Sequence, residues 1–171
     1  MTYRTKTYIA ADWDQDQDAV NQLNKWNDSN HWSLSFHDAH DITRAKDSSL
    51  YCSIKSSLKT RMDASRTFVL IVGNNTNTIT KGSCKYCGSY NSWTKSCAKG
   101  HCVDLRSFVK FECDKAVEAG IKTVVLYKST TVNKSKCPDA LKKIGTHVAM
   151  YYKGSDGQVY WNYSAVKAAL N

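Results

Sequence analysis

Two groups of residues carry recognisable chemistry in this chain of 171 residues. The first is a single carboxylate. The chain holds two glutamates, Glu112 and Glu118. Residues 105–119 read as a helix that ends at Gly120, a good C-terminal stop. Advancing about 100° per residue puts Leu105, Phe108, Val109, Ala116 and Ala119 on one face. Glu112 falls near the middle of that face, roughly 20° from Leu105, whereas Glu118 lies on the polar side. A carboxylate on a core-facing stripe is costly unless it is paired or opens into a pocket. Either a neighbouring cation holds it, or it is a partly desolvated acid lining a cleft, the usual setting for a working carboxylate.

The second group is a run of thiols. Of seven cysteines, Cys84, Cys87, Cys97 and Cys102 fall in one polar segment. Cys84-Lys85-Tyr86-Cys87-Gly88 has the form of a zinc knuckle, with Gly88 permitting the tight turn behind the thiolates. Cys97 and Cys102 supply two more soft ligands, and His101 is an alternative fourth. Four such ligands suit a tetrahedral structural Zn²⁺ whose binding energy would fold a segment poor in apolar residues. The C-x4-C spacing of the second pair departs from the usual C-x2-C. Reduced free thiols, or a redox dithiol at Cys84 and Cys87, are the alternatives. Cys52 and Cys113 read as small buried helix residues.

The elements that must position these groups alternate along the chain. Tyr8-Ile9-Ala10-Ala11 reads as a buried strand, followed by a helix carrying Ala19, Leu23 and Trp26, with Asp16 or Asp18 as its cap. Trp32 to Phe36 alternates as a second strand. Leu50, Ile54, Leu58 and Met62 mark a second helix, with Asp47 as its N-cap. Phe68-Val69-Leu70-Ile71-Val72 is a continuous apolar run stopped by Gly73, as expected of a strand covered on both faces. After the long segment 74–103 come the glutamate helix, a strand over 123–127, a short helix from Pro138 over 139–144, a strand over 148–152 and a closing helix from about Tyr160. This order predicts one α/β domain over 1–171, a flavodoxin-like, doubly wound, parallel five-stranded sheet with helices on both faces, plus a cysteine-rich, zinc-binding insertion at about 80–103. Ligands of such sheets bind outside the carboxyl ends of the strands, so the loops after Ala11, Phe36, Val72 and Tyr127 are where a site belongs. No G-x-G-x-x-G or P-loop pattern is present.

The bulk composition, 42% hydrophobic and 23% charged, is that of a globular domain. No stretch approaches the ~18 apolar residues of a membrane helix, and the start lacks a secretory layout. These features place the chain in the cytoplasm, away from membranes. The net charge of +9 comes from residues 81–153, which hold fourteen Lys/Arg against five acids. The lysines are scattered singly, which favours a solvated surface over a nucleic-acid site.

Four stretches resemble TIR domains, in particular the TIR-like proteins of bacterial Thoeris anti-phage systems. YIAADWD is similar to the first strand and its loop. SFHDAHDITRAKDSSLYCSI is similar to the second strand, its loop and the next helix. SRTFVLIVGNN resembles the third strand, and RSFVKFECDKAVEAGIKTVVLY the helix of the catalytic glutamate and the strand beyond it. In TIR enzymes that glutamate follows an aromatic residue by four positions; Phe108 and Glu112 keep the spacing, with Phe in place of the commoner Trp. The resemblance implies cleavage of the nicotinamide–ribose bond of NAD, with Glu112 as the catalytic carboxylate. The products would be nicotinamide and ADP-ribose or a cyclic ADP-ribose signal read by a downstream effector. It also implies that the enzyme works in self-assembled form. By the same resemblance Asp12 and Trp13 would contact the nucleotide, Asp38 a ribose hydroxyl, and Arg44 and Lys46 the pyrophosphate.

Three other readings share these residues. One is a TIR-like interaction module without catalysis. Another is a zinc-bearing nucleic-acid binder using the basic stretch 81–153. The third is a different glutamate-dependent N-glycosidic enzyme, such as a nucleoside deoxyribosyltransferase.

Overall fold

The structure, a computed structural model, describes residues 6–12, 14–31, 36–38 and 50–171. In chain order the elements begin with β1 (Lys6–Ala10), α1 (Gln17–Trp26) and β2 (Phe36–Asp38). Next come α2 (Tyr51–Asp63), β3 (Ser65–Val72), β4 (Tyr90–Asn91), β5 (Ser96–Cys97) and α3 (Phe108–Ala119). The chain closes with β6 (Lys122–Tyr127), β7 (Thr146–Ala149), β8 (Tyr151–Lys153), β9 (Val159–Trp161) and α4 (Tyr163–Leu170). One sheet runs in the order β2-β1-β3-β6-β7, and its neighbouring strands are all parallel. Four strands form its body, and the three-residue β2 joins at the edge of β1.

Side-chain alternation explains the two-sided burial. Tyr8 and Ala10 of β1, Phe68, Leu70 and Val72 of β3, and Val125 and Tyr127 of β6 point to one face, where α2 and α3 cover them with Ile54, Leu58, Met62, Phe108, Val109 and Ala116. Ile9, Val69, Ile71, Val124 and Leu126 point to the other face, against Ala19, Val20 and Leu23 of α1 and Val166, Ala169 and Leu170 of α4. A strand buried on both faces reads as an unbroken apolar run, as β3 and β6 do. The expected α/β architecture of a parallel sheet with helices is therefore observed.

Several boundaries differ from expectation. The run 148–152 is not one strand. β7 ends at Ala149, fully buried Met150 accepts from Asn162 N–H at 2.7 Å, and β8 pairs antiparallel with β9 as a separate hairpin. The segment from Pro138 forms a short 3-10 turn, Asp139–Leu141. Asp16 precedes α1 without capping it. α2 begins after Leu50; the expected cap Asp47 and the expected strand residues 32–35 lie outside the described residues. Among the described residues no helix is long and apolar enough to cross a membrane.

Candidate functional site

α3 starts later than its apolar pattern suggests. Ser107 is the N-cap, its hydroxyl accepting from Lys110 N–H at 3.2 Å. Leu105 therefore sits outside the helix and is exposed. The helix still turns Phe108, Val109, Glu112 and Ala116 inward, and ends where Gly120 adopts φ 60°. Only residues without a Cβ penalty take that left-handed conformation freely.

Glu112 meets β1. The Tyr8 hydroxyl donates to Glu112 Oε1 at 2.6 Å, and the Tyr8 ring stacks on Phe68 with centroids 5.8 Å apart. Tyr8 is fully buried and Glu112 is 5% exposed. Burial raises the Glu112 carboxyl to about 8, and the Tyr8 hydrogen bond opposes that rise only in part. Burial and the adjacent Glu112 charge raise the Tyr8 phenol in turn. The expected alternative of a carboxylate held by a neighbouring cation is not seen among the described residues, where its hydrogen-bond partner is a neutral hydroxyl.

Glu112 lines a crevice with Ala11, Asp12, Ile79, Lys81, Phe108 and Val109, at the carboxyl end of β1, where parallel sheets bind ligands. Segment 79–83 closes it as a strap. The Lys81 carbonyl accepts from Phe108 N–H at 2.9 Å. Gly82, at φ +95°, lies so close to the Phe108 ring that a Cβ there would stand 2.4 Å from Cγ. The other edge of Phe108 meets Tyr51 with ring centroids 5.5 Å apart. The crevice has a volume of about 20 Å³, room for about one water molecule. A sugar reaches the carboxyl only if the strap or the loop after β1 moves.

Of the expected site residues, Glu112, Asp12 and Phe108 come together here. Asp12 Oδ1 accepts from Asp14 N–H at 3.1 Å, which shapes the loop after β1. Asp38 ends β2 beside Ile9 in the β1 register. Trp13, Arg44 and Lys46 lie outside the described residues. Tyr8 went unforeseen. Its signal was a tyrosine on an inward-facing strand position, whose hydroxyl needs a buried partner.

The thiols do not gather. Among the described residues no three His, Cys, Asp or Glu side chains stand together as a metal site, and all seven cysteines are free. The expected tetrahedral set of Cys84, Cys87, Cys97 and Cys102 is thus not assembled, nor is the variant with His101. The backbone organises the segment instead. Cys84 N–H donates to the Asp104 carbonyl at 3.0 Å and Ala98 N–H to the Ser89 carbonyl at 2.7 Å. Cys84 is buried, its Sγ accepting from Asp104 N–H at 3.4 Å, whereas Cys102 is exposed and lines a separate cavity with His101 and Cys52.

A second buried carboxylate lies at the same end of the sheet. Asp16 is 1% exposed, and its Oδ2 has no hydrogen-bond partner. Lys128 Nζ stands 3.7 Å from Asp16 Oδ1 and 2.6 Å from Asp18. Burial lifts Asp16 to about 6 against the pull of Lys128.

No curated protein sequence matches the chain. Residues 8–81 match the family described as Thoeris protein ThsB, TIR-like domain, a span running from β1 into the strap and ending before Glu112. Over residues 8–81 the chain is thus similar to the TIR-like domain of the Thoeris protein ThsB.

Proposed function

We propose that the protein is a TIR-like enzyme of anti-phage defence that cleaves NAD at the nicotinamide–ribose bond, with Glu112 as its catalytic carboxylate. The observation that carries this reading is a buried carboxyl at the carboxyl end of β1, sharing one crevice with Asp12 in a chain with a ThsB-type match. As the bond from ribose C1′ to the pyridinium nitrogen breaks, its electron pair leaves with nicotinamide, which departs neutral. The sugar becomes an oxocarbenium-like cation that an ionised Glu112 stabilises. Water attacking C1′ gives ADP-ribose and releases one proton; a hydroxyl or ring nitrogen of the same molecule attacking instead gives a cyclic product. Burial favours the neutral acid. The positive pyridinium of NAD would favour its ionised form, so substrate and charge arrive together.

A second reading is a TIR-like module without catalysis. The small crevice and the Tyr8 cap on Glu112 favour it. Chromatography of NAD incubated with concentrated protein separates the two. The enzymatic reading requires free nicotinamide from the native chain and loss of that release in Glu112→Ala. A native chain that leaves NAD intact supports the module.

A further inference from the structure

The widest cavity described lies on the far side of the strap from Glu112. It is a cleft of about 600 Å³ between segment 76–86, the start of α3 and residues 138–140. Ile79 lines both this cleft and the Glu112 crevice, so the strap is their shared wall. Glu112 takes no part in the cleft.

The charges in the cleft sort into satisfied and unsatisfied. Arg106 is committed to Asp104 at 2.7 Å and to Asp114 at 2.8 Å. Asp139 is paired with Lys142 at 2.6 Å. That leaves Lys85 and Lys110, both exposed and, among the described residues, without a carboxylate within 4 Å. Hydroxyls of Thr80, Ser83 and Ser107 line the same cleft. The Tyr86 ring is 56% exposed, and Lys85 Nζ lies 5.9 Å from its centroid. Two unpaired ammonium groups ask for an anion of more than one charge. An open aromatic face beside them offers a flat ring a stacking surface. The hydroxyls suit a polyol.

We propose that this cleft binds a nucleoside phosphate, with the phosphates on Lys85 and Lys110 and the base on Tyr86. The site is separate from Glu112 and stands whether or not the chain cleaves NAD.

Calorimetric titration of the full chain with ADP tests the assignment, with adenosine and inorganic phosphate as the two halves of the ligand. ADP should bind saturably, and each half should bind at least about tenfold more weakly. Lys85→Glu/Lys110→Glu and Tyr86→Ala should each weaken ADP by about tenfold or more, with unchanged Tm because all three side chains are exposed. Glu112→Gln should bind ADP like the native chain. The proposal is overturned if ADP does not bind below about 1 mM, if phosphate alone binds as tightly as ADP, if the charge reversals leave binding unchanged, or if Glu112→Gln abolishes it.

Discussion

The Tyr8 hydroxyl and Glu112 Oε1, 104 positions apart in sequence, form a buried hydrogen bond of 2.6 Å that joins the first strand of the sheet to the inner face of α3. It links the first strand directly to the carboxyl on which the functional reading depends. Among the described residues Glu112 has no cation within salt-bridge distance.

The raised Glu112 acid makes stability depend on pH. Between the unfolded value near 4.5 and about 8, the unfolded chain has released a proton that the folded chain still holds. Stability attributable to this group is therefore full at low pH and falls by roughly 1.4 kcal/mol per pH unit through that window. Glu112→Gln keeps an acceptor for Tyr8 and removes the titration. Urea unfolding at pH 5 and pH 8 should show the variant gaining a few kcal/mol on the native chain at the higher pH. An equal loss in both proteins would contradict the assignment.

Tyr8→Phe removes the donor while keeping the ring on Phe68. A buried oxygen left without its partner costs about 1–3 kcal/mol. Because the hydrogen bond holds the carboxyl down, the variant should also move the Glu112 titration upward. Carbon-13 NMR of the labelled glutamate carboxyl reads that shift directly.

Gly73 is where the backbone admits the Asp16 carboxylate. A Cβ there would stand 2.3 Å from Asp16 Oδ1. Gly73→Ala should cost about 1–3 kcal/mol, and much of that cost should vanish in the double variant with Asp16→Ala. Asp16→Asn alone should gain on the native chain as pH rises from 3.8 to about 6 and keep that gain above it, since burial raises Asp16 to about 6 and the unfolded chain releases its proton first. Denaturant midpoints at pH 5 and pH 7.5 check both statements.

Lys55 fastens the end of the cysteine segment to α2. Its buried ammonium donates to the carbonyls of Asp104 at 3.0 Å and Arg106 at 2.6 Å. Lys55→Met leaves those carbonyls without their donor, while the Asp104 carboxylate, 3.4 Å from Lys55, keeps Arg106 at 2.7 Å. A loss of about 1–3 kcal/mol is expected, together with faster proteolysis within residues 79–104. Unchanged stability would show that the ammonium is dispensable.

How far these features were legible in the sequence depends on the range of the interaction behind them. β3 and β6 were plain because burial on both faces writes an unbroken apolar run. Glu112 was legible because a charge in a 3.6-residue stripe stands out, even though Leu105 proved to lie outside that stripe; the Ser107 cap fixes the start of α3, and a pattern count does not weigh caps. Asp16 read as a helix cap because Asp before an amphipathic run usually is one. The missing Cβ of Gly73, far away in sequence, leaves room for its carboxylate inside instead. The run 148–152 hid a break at Met150 because the residue is apolar and buried whether or not the strand continues. The cysteine spacing suggested a metal, but spacing does not report where the backbone pairs Cys84 with Asp104. The strap and the Lys85–Lys110 cleft depend on contacts between distant segments and had no local signature, and the inward-facing position of Tyr8 signalled only that its hydroxyl needs a buried partner, not which one.

The most direct test of the central claim is the rate of nicotinamide release from NAD, followed from pH 6 to 9.5 with concentrated native chain and with Glu112→Gln. An ionised Glu112 as the working group predicts that at NAD well below KM the rate rises through about pH 8 and levels above it, with a loss of roughly a hundredfold or more in the variant at the plateau. Release that is undiminished in Glu112→Gln, or no release from the folded native chain at any pH, would contradict the claim.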